Sequence, residues 1–132
     1  MRYVVTGGAG FVGSNLTKLL VKEGHDVTVI DNLVKGKKEN LYQVIDKIEF
    51  VKGDIRNYDD MEEKFQNIDG VFHQAALTVV QDSFDYTQEY HDVNVKGTEN
   101  IFKLANKYNV KVVYASSSSV YGHKDIMPIK EN

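Results

Sequence analysis

A glycine run separates a β-rich segment from a helical one. Arg2-Tyr-Val-Val-Thr6 runs directly into Gly7-Gly-Ala-Gly-Phe-Val-Gly13. Val12, Leu16, Leu19 and Leu20 then fall at i, i+4, i+7 and i+8, one face of a helix that Gly24 ends. A strand that turns at once into a helix through glycines brings bare backbone N–H groups to the helix N-terminus, where the dipole also favours an anion. The order of strand, G-x-G-x-x-G and helix fits dinucleotide binding. A pyrophosphate can approach that backbone only if no Cβ stands in the way.

The rest of the chain repeats the alternation. Strands are predicted at 26–30, 48–51, 70–73 and 111–115. Between them fall a short helix within 39–45, an amphipathic helix marked by Met61, Phe65 and Ile68, and a long helix over 84–108. On the long helix Val93, Gly97, Ile101, Leu104, Ala105 and Tyr108 share one face, with Tyr86 and Tyr90 nearer the other. Alternating strands and helices imply a parallel sheet with right-handed crossovers. The expected fold is α/β, a Rossmann-type doubly wound sheet of five strands in the order 3-2-1-4-5, with residues 1–132 as one dinucleotide-binding domain.

Two carboxylates support that reading. Asp31 ends the second strand near the expected interval after the glycines, where it can accept hydrogen bonds from ribose hydroxyls and repel the extra phosphate of NADP. Asp54 ends the third strand at the same edge, within reach of an adenine. The implied cofactor is NAD.

Composition excludes several other classes. A net charge of -3 gives no electrostatic footprint for nucleic acid. The only tight basic cluster, Lys35, Lys37 and Lys38, reads as a solvated loop. With no cysteine there is neither a disulfide framework nor a thiolate metal site. No histidine has partners at metal-ligand spacing, so no metal is assigned. His73, ending a buried strand, reads as structural. The absence of a membrane-length apolar stretch or a signal-peptide core at the N-terminus suggests a cytoplasmic protein without a membrane partner.

The chain resembles the extended short-chain dehydrogenase/reductase superfamily, and within it the NAD-dependent nucleotide-sugar epimerases. The matching segments are Thr6-Gly-Gly-Ala-Gly-Phe-Val-Gly-Ser-Asn15, Asp31-Asn-Leu33, Gly53-Asp-Ile-Arg56, His73-Gln-Ala-Ala76, Asn94-Val-Lys-Gly-Thr98 and Ser116-Ser-Ser-Ser-Val-Tyr-Gly122. The resemblance implies that Gly7, Gly10, Phe11, Val12 and Gly13 seat the pyrophosphate, and that Asp31 and Asn32 hold the adenosine ribose. It also implies that Asp54 and Ile55 contact adenine, that Ala75 and Ala76 border the phosphate and ribose, and that Asn94 anchors the active-site end of strand four. Counting back three residues from Val120 selects Ser117 as the catalytic hydroxyl, with Ser116 packing or bonding to backbone. Dehydratases of similar fold carry acidic residues where this chain has Ser118 and Ser119, which favours epimerisation.

The superfamily's general base is the tyrosine of Tyr-x-x-x-Lys, and none of the 8 tyrosines here has a lysine at that offset. Members continue past a P-x-x-E segment, present here as Pro128-Ile-Lys-Glu131, to the helix that carries the pair, then to a sixth strand and a substrate-binding region. The resemblance therefore implies an N-terminal fragment that does not turn over alone. The implied parent reaction is 4-epimerisation of a UDP-glucose/UDP-galactose type substrate through a transient 4-keto sugar, by a homodimer pairing through the long helix. Two alternatives stay open: another sugar-nucleotide dehydratase, decarboxylase or reductase, or a non-catalytic dinucleotide-binding sensor.

Overall fold

A computed structural model describes residues 1–123 and 127–130. Its centre is a parallel sheet of five strands: β1 (Arg2–Thr6), β2 (Asp26–Asp31), β3 (Ile48–Lys52), β4 (Gly70–His73) and β5 (Lys111–Tyr114). The spatial order is β3-β2-β1-β4-β5, as the alternation predicts. The register pairs Thr6 with both Ile30 and His73, so the C-terminal ends of the three inner strands form one edge. The order reverses direction at β1 and β4, and such a switch point opens a crevice for a ligand. Val4, Val5, Val29, Ile30 and Val71 are buried on both faces, which is why these strands read as continuous apolar runs.

Two clusters cover the sheet. On one face Ile30, Ile55, Met61, Phe65, Ile101 and Leu104 pack together. On the other, Val5, Val27, Val29, Leu20, Leu41 and Val44 do so. Helix α1 (Phe11–Lys22) serves the second face with only part of the stripe its periodicity suggests: Leu20 is buried and Leu16 packs against the cluster, but Val12 and Leu19 do not. Gly13, Ser14, Thr17 and Leu20 are buried, whereas Val12 and Leu19 are 60% and 52% exposed. Close packing decides this: the start of the helix lies so near the loop that only small residues fit beneath it there. A Cβ on Gly13 would stand 2.2 Å from the Gly7 carbonyl oxygen.

Other boundaries also move. The predicted helix at 39–45 is two single turns of 3₁₀ helix, Lys38–Leu41 and Ile45–Lys47. Helix α2 (Tyr58–Glu62) tightens into a 3₁₀ turn over Glu63–Phe65, and Asn67 at φ 58° ends it before Ile68. The long helix begins earlier than expected and is broken. Helix α3 (Val80–Asp85) stops at Tyr86, whose ψ of 41° lies outside the helical range, and α4 (Thr87–His91) restarts at once. A wide π-type turn over Asp92–Gly97 leads into α5 (Thr98–Lys107). The buried face is nevertheless the expected one, with Val93, Gly97, Ile101, Leu104 and Ala105 inward. Glu131, which completes the P-x-x-E segment, lies outside the described residues.

Candidate dinucleotide-binding cleft

The loop between β1 and α1 is held from three sides. The Gly7 N–H donates to the Ile30 carbonyl at 2.8 Å, and Gly10 N–H closes a turn onto the Gly7 carbonyl at 3.1 Å. Gly7 also lies so close to the segment after β4 that a Cβ there would be 2.7 Å from the Ala75 backbone. Glycine at positions 7 and 13 is therefore a packing requirement as well as a turn requirement.

Gly10 caps α1 with extended backbone and no side-chain hydrogen bond, and the first turn carries no acidic residue. The first N–H groups of an α-helix have no partner within the helix. Here neither a capping side chain nor a carboxylate answers them. Phe11 and Val12 stand exposed beside that terminus. The end of α1 is thus an uncompensated positive pole opening on the crevice, suited to an anion.

Asp31 forms the next wall. Its Oδ2 accepts from the Ala9 N–H at 2.9 Å, and its Oδ1 accepts from the Leu33 N–H at 2.8 Å. The carboxylate is 7% exposed and faces the cleft, with the Gly36 backbone against it. The loop after β2 folds back over the glycine run, since Lys37 N–H and Asn40 Nδ2 both donate to the Ala9 carbonyl. Asn32 joins two strand ends: its Nδ2 donates to Asp54 Oδ2 at 3.0 Å and its Oδ1 accepts from Val34 N–H.

Asp54 is committed within the protein. Arg56 grips it with Nε at 2.9 Å and a terminal nitrogen at 2.7 Å, and Arg56 N–H adds a third bond. The guanidinium holds the Asp54 carboxyl well below the usual carboxylate range, against the opposing effect of burial. The wall facing the cleft beside it is made by Gly53, Ile55 and Arg56. Ile55 is buried, and Gly97 lies against it, leaving no room there for a side chain.

The opposite wall follows β4. Ala75 and Ala76 line the cleft. Asn94, in the π-type turn, clamps this segment with a reciprocal pair: its Oδ1 accepts from Leu77 N–H and its Nδ2 donates to the Leu77 carbonyl, both at 2.8 Å. Beneath them His73 is 1% exposed and bridges two threonines, Thr6 at 2.6 Å and Thr98 at 2.9 Å. Ala75 N–H donates to the same Thr6 hydroxyl, which ties the segment after β4 to the His73–Thr6 contact. Burial pushes the His73 imidazolium down to about 4, so the ring is neutral near pH 7. The histidine ends a buried strand, where the sequence placed it.

The serine run forms the far lip. Ser116 is exposed and lines the cleft with Ala115, so of packing or bonding to backbone, the two expectations for it, the first does not hold. Ser117 is also exposed and caps a 3₁₀ turn over Ser118–Tyr121, accepting from Ser119 N–H at 3.2 Å and donating to Ser119 Oγ at 3.1 Å. Sequence reasoning missed Lys35, Gly36, Arg56, Gln74 and Leu77 as cleft residues. Of these only Gly36 carried a local signal, a glycine inside the basic run that follows the strand-ending Asp31. Among the described residues no cluster of three or more metal-ligating side chains occurs, and no helix is long and apolar enough to cross a membrane.

The sequence pattern of the NAD dependent epimerase/dehydratase family matches residues 3–132. The bifunctional UDP-glucose 4-epimerase and UDP-xylose 4-epimerase 3 of Arabidopsis thaliana is 39% identical over 140 residues, covering 98% of this chain and 40% of that protein. The UDP-N-acetyl-alpha-D-glucosaminuronate decarboxylase of Bacillus cytotoxicus is 40% identical over 131 residues, covering 99% and 40%. The crystal structure of a UDP-glucose 4-epimerase from Stenotrophomonas maltophila, with NAD and formylated UDP-arabinopyranose bound, superposes with a TM-score of 0.91 at 33% identity. That match covers 99% of this chain and 41% of the other. The chain therefore spans about 40% of the length of the curated relatives it matches.

Proposed function

The chain belongs to the NAD dependent epimerase/dehydratase family, and we propose that it forms the NAD-binding part of a nucleotide-sugar 4-epimerase acting on UDP-glucose or UDP-galactose type substrates. The observation that carries this reading is the uncapped N-terminus of α1, which opens on a glycine cradle beside the Asp31 carboxylate. The S. maltophila epimerase of the same fold binds NAD and a UDP-sugar.

The residues present fit that cofactor. Gly7, Gly10 and Gly13 leave room for a pyrophosphate, and the first N–H groups of α1, with Phe11 and Val12, meet its charge. Asp31 keeps lone pairs beyond its two backbone bonds for the ribose hydroxyls, with Asn32 beside it. Ile55 offers the adenine an apolar wall, and Asp54 supports that wall by fixing Arg56. Ala75 and Ala76 border the phosphate and ribose, and Asn94 positions them through Leu77. Bound NAD supplies a hydride acceptor and donor for the sugar carbon. Ser117, one residue beyond the lining Ser116, would bond the substrate oxygen once its hydroxyl is released from Ser119.

A second reading, a sugar-nucleotide decarboxylase, has support from the B. cytotoxicus relative. Ser118 and Ser119, where dehydratases of the fold carry acids, favour the epimerase over dehydration. The proposal includes a cytoplasmic homodimer paired through the helices between Val80 and Lys107, where Val80 and Phe84 are exposed.

Calorimetry with NAD and NADP, followed by chromatography of the chain incubated with NAD and UDP-glucose, tests the reading. We expect NAD to bind more tightly than NADP, and no UDP-galactose to form without a Tyr-x-x-x-Lys pair. Absence of NAD binding would overturn the proposal. Preference for NADP would overturn the role of Asp31.

A further inference from the structure

We propose that Lys35 is a pyrophosphate-binding residue for the dinucleotide: its ammonium exchanges the Asp82 carboxylate for the pyrophosphate when the cleft fills. The inference rests on the NAD-binding reading above. Lys35 lines the adenosine half of the cleft with Asp31 and Ile55, and the phosphate half with Gly10 and Gly13. It therefore spans the place where a pyrophosphate would join the two.

The base of this side chain is fixed. Lys37 and Asn40 tie the loop to the Ala9 carbonyl, and Gly36 rests against Asp31. The tip is not fixed. Its ammonium lies 3.8 Å from Asp82 Oδ2, beyond the 2.7–2.9 Å typical of a charge-assisted hydrogen bond. The two side chains are 62% and 42% exposed, so their attraction is screened and easily given up.

The other cation lining the cleft, Arg56, is held by two bonds to Asp54. Three carboxylates, Asp31, Asp82 and Glu89, stand at or beside the cleft. Against a doubly charged pyrophosphate the α1 dipole offers only about half a positive charge. Lys35 adds a full one at the anion, and releasing Asp82 from it costs little.

Calorimetry on the full chain with NAD, NADP and ADP-ribose tests the exchange. Lys35→Met is expected to weaken NAD and ADP-ribose about tenfold, ~1.4 kcal/mol. Lys35→Arg should recover most of that loss. Asp82→Asn should tighten NAD roughly two- to threefold by removing the competing carboxylate. NAD binding by Lys35→Met within twofold of the parent chain would overturn the inference. A loss confined to NADP would also overturn it, since that would place the ammonium at the ribose 2′ position. If the parent chain bound no NAD, the function itself would fall, an outcome distinct from either.

Discussion

Acidification should unfold this chain earlier than its carboxylates alone require, because of one histidine. The His73 ring is neutral, buried between Thr6 and Thr98, and its proton affinity is lowered by desolvation to about 4 from 6.5. In the unfolded chain the ring takes up a proton near its ordinary value. As pH falls through about 6.5 the unfolded state gains that proton and the folded state does not, so stability drains until the folded value is reached. Between pH 7 and pH 5 the loss is ~2 kcal/mol, approaching ~3 kcal/mol by pH 4. In a domain of this size that corresponds to a melting temperature lower by roughly 6–10 °C at pH 5. Thermal melts at half-unit steps of pH, on the parent chain and on His73→Gln, isolate the effect by cancelling every other titrating group. The variant should melt lower at pH 7 but with a flatter slope between pH 7 and 5. Parallel slopes would show that His73 is not held neutral by burial, and would refute the argument.

Three further substitutions probe the cleft. Gly13→Ala forces a methyl to within 2.2 Å of the Gly7 carbonyl oxygen, so α1 must shift. A loss of about 1–3 kcal/mol in urea unfolding is expected. Asn94→Ala removes both partners of the Leu77 backbone, and faster hydrogen exchange at the Leu77 amide should accompany a loss of about 1–3 kcal/mol. Asp31→Ala strips the Ala9 and Leu33 N–H groups of their acceptor, lowering stability by about 1–3 kcal/mol and weakening NAD in calorimetry.

The strand order and the cleft edge were legible because both depend on local signals. A glycine run must follow a strand end, and Asp31 and Asp54 must close theirs. The face of α1 was only half legible: Leu16 and Leu20 pack as the periodicity expects, but the start of the helix lies too close to the glycine loop for any but small residues. Gly13, Ser14 and Thr17 do the packing, and Leu19 faces out. The break at Tyr86 and the π-type turn that aims Asn94 at Leu77 carry no signature in a helical pattern. Lys35 read as a solvated charge because its relation to the cleft arises only when the loop folds back onto Ala9.

The central claim is that one edge of the sheet, and no other surface, receives a dinucleotide. Titrating ¹⁵N-labelled chain with NAD and following the backbone amides locates that surface. The amides of Phe11, Val12, Gly13, Leu33 and Gly36 should shift together and saturate. Shifts confined to the opposite end of the sheet, at Arg2, Thr28 and Glu49, or no shifts at all, would contradict the account.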